Sequence, residues 1–121
     1  ISDLEAILSN LMNNSKINES SRLAGYIQKS ICGHLETRGY GSIRDKGVKQ
    51  APFYVLIGAQ MPAVLIETSF ISNSRECRRL TLPQYQERIS EGIVKGIFQY
   101  IKELNPTALK KNPEGVMQKE G

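Results

Sequence analysis

The sequence is poor in histidine and cysteine and has no long apolar run, and each shortage excludes something. Its 121 residues hold one histidine, His34, and two cysteines, Cys32 and Cys77, with no CxxC pair. One histidine is too few for a metal centre built on two. Cys32 and His34 stand two apart on a predicted helix, face different ways and make a poor metal pair. His34 therefore reads as an ordinary surface or capping residue near a helix end. The cysteines read as two buried free thiols or, in an oxidising compartment, one disulfide; sequence does not decide between these. No apolar stretch approaches the ~20 residues that span a bilayer. Residues 1–5 show no basic region leading into an apolar one, so no signal peptide is expected in this segment. With no initiator methionine, the chain is expected to start inside a longer polypeptide, leaving room for a targeting signal upstream.

What is present is ordinary for one domain: 40% hydrophobic and 23% charged residues, enough for a single core. The net charge of +4 favours anionic partners without naming one. Apart from Arg78-Arg79 and Lys110-Lys111 the basic residues are scattered. Nucleic-acid binding calls for a denser basic stripe interleaved with aromatics, so no nucleic-acid partner is expected.

Periodicity gives the elements. Leu4, Ile7, Leu8, Leu11 and Met12 predict a short helix over about 3–13, broken at 13–16. Asn18 is placed to cap a second helix, whose stripe is Leu23, Ile27, Ile31 and Leu35 and whose end is Gly39. Residues 39–50 read as a loop. Residues 53–57, β-branched and aromatic, read as a strand, and Ala63, Val64, Leu65 and Ile66 as a second strand covered on both faces. Asn73 and Glu76 resemble a capping box for a short helix. Pro83 suits the first turn of a last helix, with an apolar face of Ile89, Ile93, Ile97, Tyr100, Ile101 and Leu104. Residues 1–105 form the expected domain part, and 106–121 a polar tail or linker. The fold class expected is α/β, a mostly parallel sheet flanked by helices (phosphorylase/hydrolase-like), present as a partial domain, because two strands do not make a stable sheet alone. Such a half-domain leaves a strand edge and apolar surface uncovered, which favours self-association or marginal stability.

The apolar run 63–66 leads directly into Glu67. In an open α/β sheet, active sites gather at the carboxyl ends of strands. A carboxylate there loses hydration and can be tuned to move protons near neutral pH. Spacing alone leaves open the plainer reading, a charge marking a strand end or paired with a nearby Arg or Lys. Lys46, Lys49 and Gln50, in the loop before the first strand, are candidates to meet an anionic peptide, or simply a solvated loop. Asn73 is explained by capping, although it also follows Glu67 closely. Tyr54 and Phe70 read as core, and Arg78-Arg79 as an exposed helix face.

Two blocks raise the standing of Glu67. Residues 44–56 (Arg-Asp-Lys-Gly-Val-Lys-Gln-Ala-Pro-Phe-Tyr-Val-Leu) and 61–73 (Met-Pro-Ala-Val-Leu-Ile-Glu-Thr-Ser-Phe-Ile-Ser-Asn) resemble the signature blocks of the amidase type 3 family of cell-wall amidases. The second contains its "aliphatic-Glu-x-x-Phe-x-Ser-Asn" pattern after a "Met-Pro-Ala" lead-in. Residues 18–24, 76–80 and 85–86 also resemble the family, so the likeness runs over roughly 3–104. The resemblance implies a zinc-dependent hydrolase that cuts the amide between N-acetylmuramic acid and L-alanine in peptidoglycan, at the cell wall, periplasmic or extracellular. It implies two His and one Glu as zinc ligands, with a second Glu in proton transfer. Of these only the proton-transfer residue has a counterpart here, Glu67. The zinc ligands are expected upstream of Ile1, so no metal ligand is assigned in this chain, and the isolated chain is expected to be inactive. The competing readings are a non-catalytic wall-binding or regulatory module of the same fold and, further off, a basic nucleic-acid-binding domain.

Overall fold

The computed structural model describes residues 2–41, 43–51, 54–56, 58–68 and 74–107. Helices dominate them: α1 (Ser2–Thr37), α2 (Ser74–Leu80) and α3 (Pro83–Leu104), with one 3-10 turn at Tyr54–Leu56. No strand occurs among the described residues. This corrects the expected α/β sheet. The two runs read as strands are β-branched and apolar, but a strand is defined by pairing with a neighbour, and local composition does not provide one. Tyr54, Val55 and Leu56 close a 3-10 turn instead. Residues 62–68 run without regular structure along α1, where the Ala63 N–H donates to Ser20 Oγ at 3.0 Å rather than to a ladder. Tyr54, expected in the core, is 89% exposed. Phe70 and Asn73, with the capping box, lie outside the described residues.

The expected break at 13–16 is also absent, since α1 runs unbroken from Ser2 to Thr37. Asn13, Asn14 and Ser15 are weak helix formers, each costing about 0.5 kcal/mol relative to Ala. Starting a second helix costs more than carrying the first one through, because nucleation is the expensive step. Asn18 is thus interior rather than a cap.

The end of α1 follows expectation. Gly39 has φ +88°. The Gly39 N–H donates to the Glu36 carbonyl (3.2 Å) and the Tyr40 N–H to the Leu35 carbonyl (3.1 Å). These are the paired bonds of a Schellman motif, which a left-handed glycine allows. Tyr40 then folds back onto Leu35. Beside this end Pro83 opens α3, and the Asn105 N–H closes it on the Ile101 carbonyl.

α1 and α3 lie antiparallel, as Ile31 meets Gly92, Ile27 meets Gly96 and Glu19 meets Tyr100. The glycines set the closeness of this seam. A Cβ on Gly96 would stand 2.5 Å from Ile27 Cα, and one on Gly92 2.8 Å from Ile31 Cα. Leu35, Tyr85 and Ile89 form the buried core, with Tyr40 edge-on to Tyr85 at 5.0 Å between ring centroids. Polar bonds pin both ends of the seam. At one end Tyr100 donates to Glu19 (2.6 Å), and Arg22 joins Glu103. Burial, then the Glu19 carboxylate beside it, pushes the Tyr100 hydroxyl up to about 12. The first three turns of α1 sit outside this seam, and Leu4, Ile7, Leu8, Leu11 and Met12 are all exposed there.

Candidate functional site

The middle of α1 presents Asn13, Lys16 or Ile17, Ser20 or Ser21, Ala24 and Gln28 along one face, one turn apart. The described residues of segment 43–68 face it, and between the two lies an open cleft of about 1290 Å³. That exceeds the ~300–1,000 Å³ of a typical small-molecule pocket, so the opening suits an extended ligand. Single hydrogen bonds tether the segment to α1. Gln28 Nε2 donates to Asp45 Oδ1 (2.7 Å), Gln50 Nε2 to Ser21 Oγ (2.8 Å), and Ala63 N–H to Ser20 Oγ. Gly47, at φ +74°, turns its N–H back onto the same Asp45 oxygen at 2.8 Å. Gln28 first, then the Gly47 amide, holds the Asp45 carboxyl below its ordinary range.

Glu67 lines this cleft together with Val64, Leu65, Ile66 and Thr68. It is exposed, and it makes no hydrogen bond or ion pair with a described residue. This differs from the expected setting in one respect: with no covered strand beneath it, Glu67 is not a desolvated carboxylate at a strand tip. The plain ion pair left open by spacing is absent among the described residues as well. Lys46, Lys49 and Gln50, the weaker candidates of the first signature block, line the same cleft. The fold thus gathers described residues of both blocks, among them 46–51 and 63–68, around one cleft beside α1. Sequence reading missed Lys16, Arg44 and the α1 stripe. The spacing of Ser20, Ala24 and Gln28 beside the apolar stripe was the available signal.

His34 is elsewhere, and its surface reading is corrected. It is buried, with Nε2 2.6 Å from Glu91 Oε2 and Nδ1 3.1 Å from Lys95 Nζ. Lys95 offers only donors, so Nδ1 accepts and the Nε2–H donates to Glu91. The imidazole, backed by Arg88, holds the Glu91 carboxyl below its ordinary range. Both ring nitrogens are used in tying α1 to α3, which leaves none for a metal. Cys32 and Cys77 are free and half-buried. Burial, with Asp45 and Glu36 nearby, pushes the Cys32 thiol up. No group of three or more His, Cys, Asp or Glu able to hold a metal occurs among the described residues. The described residues therefore do not by themselves fit a zinc centre. No described helix is long and apolar enough to cross a membrane.

Comparison with known proteins gives these residues a context. The chain is similar to YqiI of Bacillus subtilis, an uncharacterised protein, at 42% identity over 81 residues, covering 67% of this chain and 36% of that one. It is similar to the N-acetylmuramoyl-L-alanine amidase LytC of the same organism at 37% identity over 83 residues, 69% of this chain and 16% of the relative. With the N-acetylmuramoyl-L-alanine amidase AmiA of Escherichia coli K12 it shares 31% identity over 97 residues, 80% of this chain and 32% of the relative. The chain thus spans little more than a third of these relatives at most. No solved structure matches it significantly. The family model described as N-acetylmuramoyl-L-alanine amidase matches residues 4–99, which takes in α1, the cleft, Glu67 and most of α3. By that match and these relatives, the chain belongs to the N-acetylmuramoyl-L-alanine amidase family.

Proposed function

We propose that the chain is the part of a peptidoglycan amidase that carries the proton-transfer residue, with Glu67 as general acid/base. The reaction is hydrolysis of the amide joining the lactyl group of N-acetylmuramic acid to L-alanine. Glu67 accepts a proton from the water that attacks the scissile carbonyl. The C–N bond then breaks, and Glu67 returns the proton to the leaving amine, giving a lactyl carboxylate and a free alanine amino group. The observation that carries this reading is that the motif glutamate stands on an open cleft with no charge partner among the described residues, so its oxygens are available to a substrate and its water. The reading places the protein at the cell wall, periplasmic or extracellular. It also includes a zinc ion, with ligands that the described residues do not supply.

The test is Glu67→Gln in the full-length protein, with release of alanine amino groups from purified wall as the readout. General acid–base groups contribute about 10²–10⁴-fold, so turnover should fall by at least about a hundredfold while wall binding persists. Full turnover in that variant would remove Glu67 from the reaction. The second reading is a non-catalytic wall-binding or regulatory module of the same fold. It predicts wall binding with no amine release from the unmodified protein.

A further inference from the structure

The Glu67 carboxylate is exposed and meets no hydrogen-bond donor or cation among the described residues. General acid–base work needs that carboxylate within hydrogen-bond reach of the water it serves. What fixes it must therefore act through the backbone that carries it. Residues 60–67 run without helix or strand. Ala63, Val64 and Ile66 are half-buried, but apolar contact is non-directional and sets no register along α1. Pro62 has no N–H, so Ala63 is the first residue of the run 62–66 that can donate. Its N–H donates to Ser20 Oγ at 3.0 Å, and residues 60–67 make no other hydrogen bond with a described residue. Ser20 is half-buried on α1, the helix that also forms the seam with α3. Ser21 beside it accepts from Gln50. Two neighbouring hydroxyls thus hold one signature block each.

We propose that Ser20 is a positioning residue for Glu67: its hydroxyl, fixed on α1, anchors Ala63 and so sets where the carboxylate four residues on meets the attacking water. The inference rests on the amidase reading of Glu67 and adds the group that holds this general acid/base in register. Ser20 itself touches no reacting atom. An extended arm of four residues reaches ~13 Å, so a small swing at Ala63 grows along the arm before it reaches Glu67. A misplacement of about 1 Å at a reacting group costs up to about a hundredfold in rate. The anchor therefore acts on turnover more than on substrate affinity.

The test is a double-mutant cycle in the full-length protein, with amine release from a soluble N-acetylmuramoyl peptide as the readout. Ser20→Ala removes the acceptor, and alanine is the better helix former, so α1 is retained. One hydrogen bond shifts an equilibrium about fivefold, so kcat should fall about fivefold or more with KM little changed. Ser20→Thr keeps a hydroxyl and should restore most of the loss. In a Glu67→Gln background Ser20→Ala should cost nothing further, because the group it positions is already silent. Equal losses in the two backgrounds would make Ser20 a general support of the fold and overturn the proposal. Unchanged kcat in Ser20→Ala overturns it too, as does a loss confined to KM. Amide exchange at Ala63 needs no turnover: it should quicken in Ser20→Ala while protection in α3 holds, and unchanged exchange removes the anchor. A fully active Ser20→Ala beside an inactive Glu67→Gln defeats Ser20 alone. Undiminished turnover in Glu67→Gln defeats the amidase reading, and the role of Ser20 falls with it.

Discussion

The α1–α3 seam and segment 43–68 are held by different physics. At the seam, two helices approach so closely that Gly92 and Gly96 touch the opposing backbone, and apolar side chains fill what remains. Segment 43–68 packs more loosely among the described residues: Ile43 joins the core, and Ala63, Val64 and Ile66 are only half-buried. Segment 43–68 is kept near α1 by a few hydrogen bonds, and its apolar residues Val48, Met61 and Leu65 are exposed. The seam is determined by shape and the segment by tethers. Stability should therefore reside in the first and ligand contact in the second, in keeping with loops carrying function on a rigid scaffold.

The sharpest way to break that contrast is to put a methyl group into the seam. Gly→Ala in a helix ordinarily gains up to about 1 kcal/mol from propensity. At Gly96 the added Cβ would meet Ile27 Cα at 2.5 Å, Ile27 N at 2.9 Å and the Tyr26 carbonyl at 3.0 Å, all backbone atoms that cannot rotate away. Overpacking of this kind costs about 1–3 kcal/mol and outweighs the gain. Gly96→Ala should thus lower the denaturant midpoint. Gly33→Ala, with nothing within 4 Å of its Cβ, should raise it. Equal and positive shifts at both sites would mean that the helices do not approach as described.

Sequence was informative about the seam and misleading about the segment, for the same reason. The stripe of Leu23, Ile27, Ile31 and Leu35 and the face of Ile89, Ile93 and Tyr100 are local patterns, and the helices they predict do pack on one another. Gly39 and Pro83 act locally too, and they end and begin helices where expected. A strand is a non-local statement, and residues 53–57 and 63–66 carried its composition without a described neighbour to pair with. The burial of His34 was equally hidden, because Glu91 and Lys95 are far along the chain and only the antiparallel seam brings them near. Nor does any local pattern in segment 43–68 say that it lies against Ser20, Ser21 and Gln28. For Glu67, the motif supplied the residue, and the fold supplied the cleft and the lack of a charge partner among the described residues. The desolvation expected of it was tied to the strand and went with it.

A smaller effect probes the polar end of the seam. The Tyr100 hydroxyl, ordinarily near 10, is raised to about 12 by burial and by its bond to Glu19. A group whose folded value is raised stabilises the fold below its ordinary value and loses that contribution as pH climbs to the folded one. The seam should therefore weaken between about pH 10 and 12. Tyr100→Phe, which loses one hydrogen bond, should cost about 1 kcal/mol at neutral pH and flatten that alkaline dependence. Ultraviolet titration of tyrosinate together with helical circular dichroism reads both. An alkaline midpoint unchanged by the substitution would show that Tyr100 does not pin the helices.

The smallest expected effect on stability is at the tether, and it separates the two regions most directly. Gln28 donates to Asp45 and leans on Cys32 Sγ at 3.7 Å. Gln28→Ala removes one half-exposed hydrogen bond, so global stability should move by only about 0.5 kcal/mol. Locally the consequence is larger. Asp45 loses the first of the two contacts that hold its carboxyl low, so its titration should shift upward toward the ordinary carboxylate value. As pH falls, the Gly47–Asp45 contact is lost at the lowered folded value in the unmodified chain and at a higher pH in the variant. Hydrogen exchange at the Gly47 amide, whose N–H donates to Asp45, reports this without reference to activity. Faster exchange at Gly47 with unchanged protection in α3 is the expected pattern. If protection in α3 falls in step with that of Gly47, the tether is part of the cooperative core, and the division between a shape-determined seam and a tethered segment fails.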